Sequence, residues 1–261
     1  MKAKNRPPRL EPRTPTALTP QPPPSRTPTP EEALVQAKLA GRATALGRSE
    51  LRHHVDHWDA ATIEGWNAMR TIFGATPEVP QIDPAAVLRG AARAVARLRE
   101  VALAGGRIAF ASASPASLLG VHAFLARAAR TIGGAVVDDD DGSPMRIDGR
   151  SPRWLRWIDG VAVVTDGASV LSAVGPDAPA EWLFLVGRPS LTVADGGYAD
   201  AAHAAGLEVV AFSGLDQPRL GLAAARGDRC TVVPVPTSRP ARTYQPLTAA
   251  LDAAFRSGSP L

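Results

Sequence analysis

The chain has 261 residues, of which 45% are hydrophobic, so it can bury one sizeable core, and its formal net charge is +4. This charge is local: residues 1–30 hold six basic residues and one acidic residue, a net +5, and the rest sums to −1, which argues against a nucleic-acid-binding domain. The single cysteine, Cys230, excludes an intramolecular disulfide and a cysteine-based zinc site.

Residues 1–30 are dominated by proline, threonine and arginine, a composition that buries too little apolar surface to fold. We predict a disordered tail, either a segment that binds a protein partner or a solubilising extension. No apolar stretch approaches the ~20 residues of a membrane-spanning helix. The N-terminus also lacks the apolar segment of a secretory signal. The sequence therefore predicts a cytoplasmic protein that does not enter a membrane.

Residues 31–104 are predicted to form helices that pack on the core. The first begins after Thr29, with Pro30 and two glutamates in its first turn, and is expected to run to about Gly47. An amphipathic pattern over residues 60–73 predicts a second helix that ends at Gly74. Asp83 and Pro84 are typical of the start of another helix over residues 85–103.

Residues 105–261 alternate between predicted strands and predicted helices. The strands are expected at residues 107–111, 135–137, 161–165, 182–186, 191–194, 207–212 and 231–235, with an edge strand or hairpin within 145–158. A helix is expected from Asp166 to Val174. Such alternation is typical of an α/β protein, here a Rossmann-like three-layer sandwich with a mainly parallel sheet.

Polar turns follow several of the predicted strands. Their residues are Ser112, Ser114, Asp166, Gly167, Asp195, Gly196, Gly197 and Asp216. Carboxyl ends of parallel strands share one edge of a sheet, where ligands bind. Hydroxyls and helix N-termini favour the binding of anions. Carboxylates favour the binding of a cation or the transfer of a proton. The pattern predicts a site for a small phosphorylated or nucleotide-like molecule, with Mg²⁺ or Mn²⁺ as a candidate cofactor; the alternative is that βα turns simply require Asp, Ser and Gly.

Several standard nucleotide-binding and hydrolase motifs are missing from the sequence. The three lysines, Lys2, Lys4 and Lys38, all precede the predicted core, so no P-loop lysine is available there. The G-x-G-x-x-G and G-x-S-x-G patterns are absent, which argues against dinucleotide-dependent dehydrogenases and α/β-hydrolases.

Four segments between about residues 70 and 247 resemble a bacterial family of phosphatases. They read RIAFASASPASLL, RWLRWIDGVAVVTDGASVL, TVADGGYADAAHAAGLEVVAFSGLDQP, and VVPVP with the YQPL that follows. In that family the third segment is closer to D-H-G-aromatic, and it continues into an N-D-P turn. Here Gly196 stands in place of the histidine, and Asp216-Gln217-Pro218 replaces that turn. Residues 237–239, Thr-Ser-Arg, replace an acidic and amidic loop.

The resemblance implies a phosphatase-like hydrolase that acts on a small phosphorylated metabolite. In this hypothesis Asp195 and Asp216 handle a proton or a metal ion, and water attacks the phosphorus directly. Ser112, Ser114 and the backbone of Gly196 and Gly197 would hold the phosphate. The alternative is a non-catalytic relative that binds a ligand or partner in the same crevice, suggested by the departures in the turns.

Overall fold

The computed structural model describes residues 27–41, 59–75, 81–138, 143–145, 153–172 and 175–258. Its strands are β1 (Arg107–Ala111), β2 (Ala135–Val136), β3 (Ser143–Met145), β4 (Arg153–Ile158), β5 (Val161–Thr165), β6 (Val170–Leu171), β7 (Leu191–Asp195), β8 (Val209–Ser213) and β9 (Cys230–Pro234). Its α-helices are α1 (Pro30–Gln36), α2 (Ala60–Phe73), α3 (Pro84–Leu103), α4 (Pro115–Thr131), α5 (Asp177–Val186), α6 (Gly196–Ala204), α7 (Pro218–Arg226) and α8 (Gln245–Ser257).

Helix α1 begins with the predicted cap but ends earlier than predicted. The Thr29 N–H donates to the Glu32 carboxylate at 2.8 Å, and the Glu32 N–H donates to the Thr29 hydroxyl at 3.2 Å. The helix stops at Gln36 because Lys38 adopts a left-handed φ of 60°. Residues 42–58 and most of the predicted tail, residues 1–26, lie outside the described part of the chain.

The strands form one mixed, mostly parallel sheet with β1 near its middle. Its order is β3-β4-β5-β1-β7-β8-β9, with β2 beside β1 and β6 beside β5. Strands β2, β5 and β7 run parallel to β1, and β8 and β9 continue the parallel series beyond β7. Strands β3, β4, β5 and β6 pair with one another in antiparallel fashion. The α/β class and the mainly parallel sheet are therefore confirmed.

The helices pack in two groups around this sheet. Helices α1, α3, α4 and α8 contact one another, and a second connected set consists of α2, α5, α6 and α7. Strands β1, β5, β7 and β8 are buried along almost their whole length, as strands covered on both faces are. The Rossmann-like label and the three-part division of the chain stay predictions. None of the described helices is long and apolar enough to cross a membrane.

Two segments of the core differ from the sequence prediction. Residues 182–186, expected as a strand, belong to α5, where Trp182 and Val186 are buried and Phe184 is 82% exposed. A short apolar run fits a strand and a helix equally well, so its pattern could not decide. The expected helix after Asp166 is instead a hairpin: the Asp166 carboxylate accepts N–H groups two and three residues on, and β6 turns back onto β5.

Helices α2 and α7 approach closely through Gly65 and Gly221. A Cβ at residue 221 would lie 2.2 Å from Met69 Cγ and 2.8 Å from the Gly65 carbonyl oxygen. We expect Gly221→Ala to lower the free energy of unfolding by about 1–2 kcal/mol, because overpacking outweighs the helix propensity gained. Gly120→Ala on α4, with nothing within 4 Å, is the matched control and should raise it by about 0.5–1 kcal/mol. Denaturant unfolding measures both, and a stabilised Gly221→Ala variant would contradict the close approach.

Candidate functional site

The order of the strands reverses between β1 and β7. Strands β2 and β5 lie on one side of β1, and β7, β8 and β9 follow on the other. In open α/β sheets ligands bind outside the carboxyl ends of the strands at such a reversal. Ala111 pairs with Ala194 there, so the next residues, Ser112 and Asp195, lie side by side at the carboxyl ends of β1 and β7.

The carboxylate of Asp195 is completely enclosed by the chain that follows β1. Its Oδ1 accepts the backbone N–H groups of Ala113 and Ser114, both at 2.9 Å. Its Oδ2 accepts the Ser112 hydroxyl at 2.6 Å and lies 3.0 Å from His122 Nε2. Asp195, Ser112 and His122 are all 0% exposed. The N–H groups that a phosphate could have used in this loop are thus already bound to a carboxylate of the chain itself.

A glycine after Asp195 lets the two loops meet. Gly196 has φ +55°, and a Cβ on it would lie 2.6 Å from the Cβ of Ala113. A histidine at this position, as in the resembling family, would therefore require the β1–α4 loop to move. His122 also contacts Asp195, because it lies on the buried face of α4.

Two buried tyrosines lie near enough to this carboxylate for its charge to raise their pKa. Burial raises the pKa of Tyr198, with the Asp195 charge adding to the effect, and the Tyr198 ring packs edge-on against Trp182 at 5.3 Å. Burial also raises the pKa of Tyr244 to about 12. The Tyr244 hydroxyl donates to the carbonyl oxygen of Pro236, just after β9. Both phenols therefore stay protonated near neutral pH. Among the described residues the Tyr198 hydroxyl has no hydrogen-bond partner, so only Tyr244 acts as a donor here.

The second predicted carboxylate, Asp216, lies in a different environment. It is exposed on the β8–α7 loop, where its Oδ1 would be 2.6 Å from a Cβ built on Gly214. The next residue, Gln217, is 5% exposed and donates its side-chain amide to the Gly196 carbonyl at 2.6 Å and to Asp200 Oδ2 at 3.2 Å. Gln217 thereby joins the β8–α7 loop to the start of α6.

Asp166 and Gly167 lie apart from these loops. Ala162 of β5 pairs with Ala111, so Asp166 is three residues further along the sheet than Ser112, about 10 Å. The N–H groups of Ser169 and Ala168 lower the pKa of the Asp166 carboxyl and bind it into its own turn. Among the described residues no hydrogen bond joins this pair to the loops after β1 and β7, and its predicted ligand-binding role stays a prediction.

The donor set does not fit the predicted metal. In the described residues, no group of three or more His, Cys, Asp or Glu side chains is placed to hold a metal ion. Asp195 already has four hydrogen-bonding neighbours, and Mg²⁺ or Mn²⁺ requires several free oxygen ligands. The catalytic role of Asp216 and the phosphate-binding roles of Ser112, Ser114, Gly196 and Gly197 stay predictions.

Sequence reasoning missed three polar residues of this region. They are His122, Asp200 and Gln217. The signal for His122 was present, because it falls between Leu118 and Leu125 at helical spacing on an otherwise apolar face. A histidine in such a position requires a buried partner. No comparable signal in the sequence pairs Gln217 with Asp200, since Asp200 lies on α6 and Gln217 precedes α7.

Comparisons with known proteins show which family the chain is related to. Residues 75–257 match the family model described as Phosphatase. A protein of Streptomyces coelicolor, Phosphatase SCO2771, is 32% identical over 176 residues, which cover 65% of this chain and 65% of that protein. The match thus spans just under two thirds of that relative's length. No solved structure matches the chain. Because the family model covers well over half of its residues, the chain belongs to this phosphatase family.

Proposed function

We propose that the chain hydrolyses the phosphate ester of a small phosphorylated metabolite in the crevice outside β1, β7 and β8. Membership of the phosphatase family supports the reaction class. The position of the proposed active site is supported by one observation: three loops meet where the strand order reverses. Asp195 binds the loop after β1, and Gln217, from the loop after β8, binds Gly196. The predicted cytoplasmic location is kept as part of the proposal.

In this proposal the two aspartates have different tasks. Asp216 is exposed, so it can accept a proton from the attacking water. Asp195 is enclosed, so it positions the loop of Ser112 and Ser114 rather than touching substrate. The Ser114 hydroxyl and the N-terminal N–H groups of α6 at Gly197 are the groups proposed to receive the phosphate.

The proposed reaction is a direct displacement at phosphorus. The oxygen of a water molecule forms a new bond to phosphorus as its proton passes to Asp216. The bond between phosphorus and the ester oxygen breaks, and the leaving alcohol takes a proton from solvent. The products are inorganic phosphate and the free alcohol, so no covalent enzyme intermediate forms.

A second candidate function, ligand binding without turnover, is favoured by one observation. The Ala113 and Ser114 N–H groups, which would make an anion site in the β1–α4 loop, are bound to Asp195 at 2.9 Å each. A relative that closes this site with its own carboxylate could bind ligands only through the remaining loops.

One experiment separates the two functions. The full chain is screened with phosphorylated metabolites and with p-nitrophenyl phosphate, and melting temperature and phosphate release are measured in the same wells. Wells with EDTA and wells with added Mg²⁺ or Mn²⁺ test for metal dependence. Stabilisation with phosphate release supports the hydrolase, and stabilisation without release supports the binding protein. If no compound raises the melting temperature or releases phosphate, both proposals fail.

A further inference from the structure

Asp200 and Gln217 are joined by one hydrogen bond, and each has a second buried atom with no partner among the described residues. Gln217 Nε2 donates to Asp200 Oδ2 at 3.2 Å. The other carboxyl oxygen, Asp200 Oδ1, and the amide oxygen, Gln217 Oε1, are both buried and have no hydrogen-bond partner in the part of the chain that the structure describes. Buried polar atoms are rarely left unpaired. A carboxylate oxygen and an amide oxygen are both acceptors, so neither of these two atoms can donate a hydrogen bond to the other.

A proton on Asp200 removes this deficit. A carboxylic acid and a primary amide can form two reciprocal hydrogen bonds, with the amide N–H donated to one carboxyl oxygen and the acid O–H donated to the amide oxygen. We propose that protonated Asp200 forms this reciprocal pair with Gln217, and that the pair positions the β8–α7 loop, which carries Asp216, against the start of α6. Ionisation of Asp200 removes the second bond and sets two unpaired oxygens beside each other.

The surroundings of Asp200 favour the protonated form. Burial raises the pKa of Asp200, and this effect outweighs the Gln217 amide and the Arg219 charge, which lower it; Asp216 raises it further, and His203 lowers it. On β9, the remaining neighbour, the Cys230 thiol has its pKa raised to about 12, mainly by burial, and remains neutral. Asp200 therefore keeps its proton to a higher pH in the folded chain than in the unfolded chain.

The pair is a positioning device for the proposed active site, and its effect on catalysis rests on the proposed function. Gln217 is the residue before α7 and also donates to the Gly196 carbonyl, so it touches both loops that flank the crevice. Its amide group is oriented by Asp200, and Asp216 is its neighbour in the chain. Ionisation of Asp200 is thus expected to loosen the loop that carries Asp216.

The test is the pH dependence of stability in Asp200→Asn. Asparagine mimics the protonated acid, because its amide can give and accept the same two bonds but does not ionise. The folded pKa of Asp200 is raised, so wild type loses stability as the pH rises from the unfolded value of 3.8 through the folded value. We expect equal stability near pH 4, and then an advantage for Asp200→Asn that grows by up to about tenfold in the folding constant per pH unit before it levels off.

Two further variants make the result specific to the pair. In a Gln217→Met background the asparagine has no amide partner, so its advantage should fall at least about fivefold. Asp252→Asn is the control, because the Asp252 carboxylate pairs with Arg256 at 2.6 Å as an ion and should give no growing advantage. An advantage that is flat with pH, or unchanged by Gln217→Met, would overturn the pair. These unfolding measurements require no turnover, so they can fail while the hydrolase proposal stands, and the reverse.

Discussion

Replacement of Asp195 with alanine is expected to lower the free energy of unfolding by about 3–5 kcal/mol, close to the effect of breaking a buried ionic network. The carboxylate accepts two backbone N–H groups and the Ser112 hydroxyl, and all three donors lose this acceptor once it is removed. Each buried donor left without a partner costs about 1–3 kcal/mol. Thermal and denaturant unfolding of the purified variant measure the loss.

The matched variants separate the network from a general effect of losing a charge. Ser112→Ala removes one donor and should cost about 1–2 kcal/mol, since the other contacts of Asp195 remain. Asp195→Asn keeps an acceptor for the two N–H groups and should fall between these two variants. Asp228→Ala, at an exposed aspartate before β9, should stay within about 0.5 kcal/mol of wild type. An Asp195→Ala variant as stable as Asp228→Ala would show that the enclosed carboxylate does not hold the β1–α4 loop.

The parts of the fold that local patterns determine were predictable. The start of α3 follows from Asp83, whose carboxylate accepts the Ala85 N–H at 3.0 Å, and from Pro84 at the first helical position. Strands β1, β7 and β8 were recognisable as short, continuously apolar runs bounded by small polar residues. These features depend only on neighbours in the sequence.

The features that were missed depend on tertiary contacts. Residues 182–186 are apolar throughout, yet they belong to α5, which packs against α6 and buries only Trp182 and Val186 of this segment. Asp195 and Asp216 look alike in the sequence, because each is an acidic residue in a turn after an apolar strand. One is enclosed by residues 73 to 83 positions earlier in the chain, and the other faces solvent. No local pattern records which of two such turns another loop will cover.

That difference between the two aspartates leads to the largest expected effect on activity. Asp216→Asn should lower kcat for phosphate release at least about 100-fold, because asparagine cannot accept the proton that the attacking water must lose. The free energy of unfolding should stay within about 0.5 kcal/mol of wild type, since Asp216 is exposed. Steady-state phosphate release and denaturant unfolding of the same preparation give both quantities.

The separate effects of Asp216→Asn on kcat and on KM test which role Asp216 has in the reaction. A proton acceptor acts in the transition state, so kcat and kcat/KM should fall together while KM changes little. Asp228→Asn is the same substitution at an exposed aspartate that precedes β9, at the amino ends of the parallel strands. It should leave kcat, KM and kcat/KM unchanged. A raised KM with unchanged kcat would instead make Asp216 a substrate-binding residue, and the proton acceptor would have to be sought elsewhere. Full activity of Asp216→Asn would remove Asp216 from the proposed mechanism, and the enclosed carboxylate of Asp195 could not replace it without opening the β1–α4 loop.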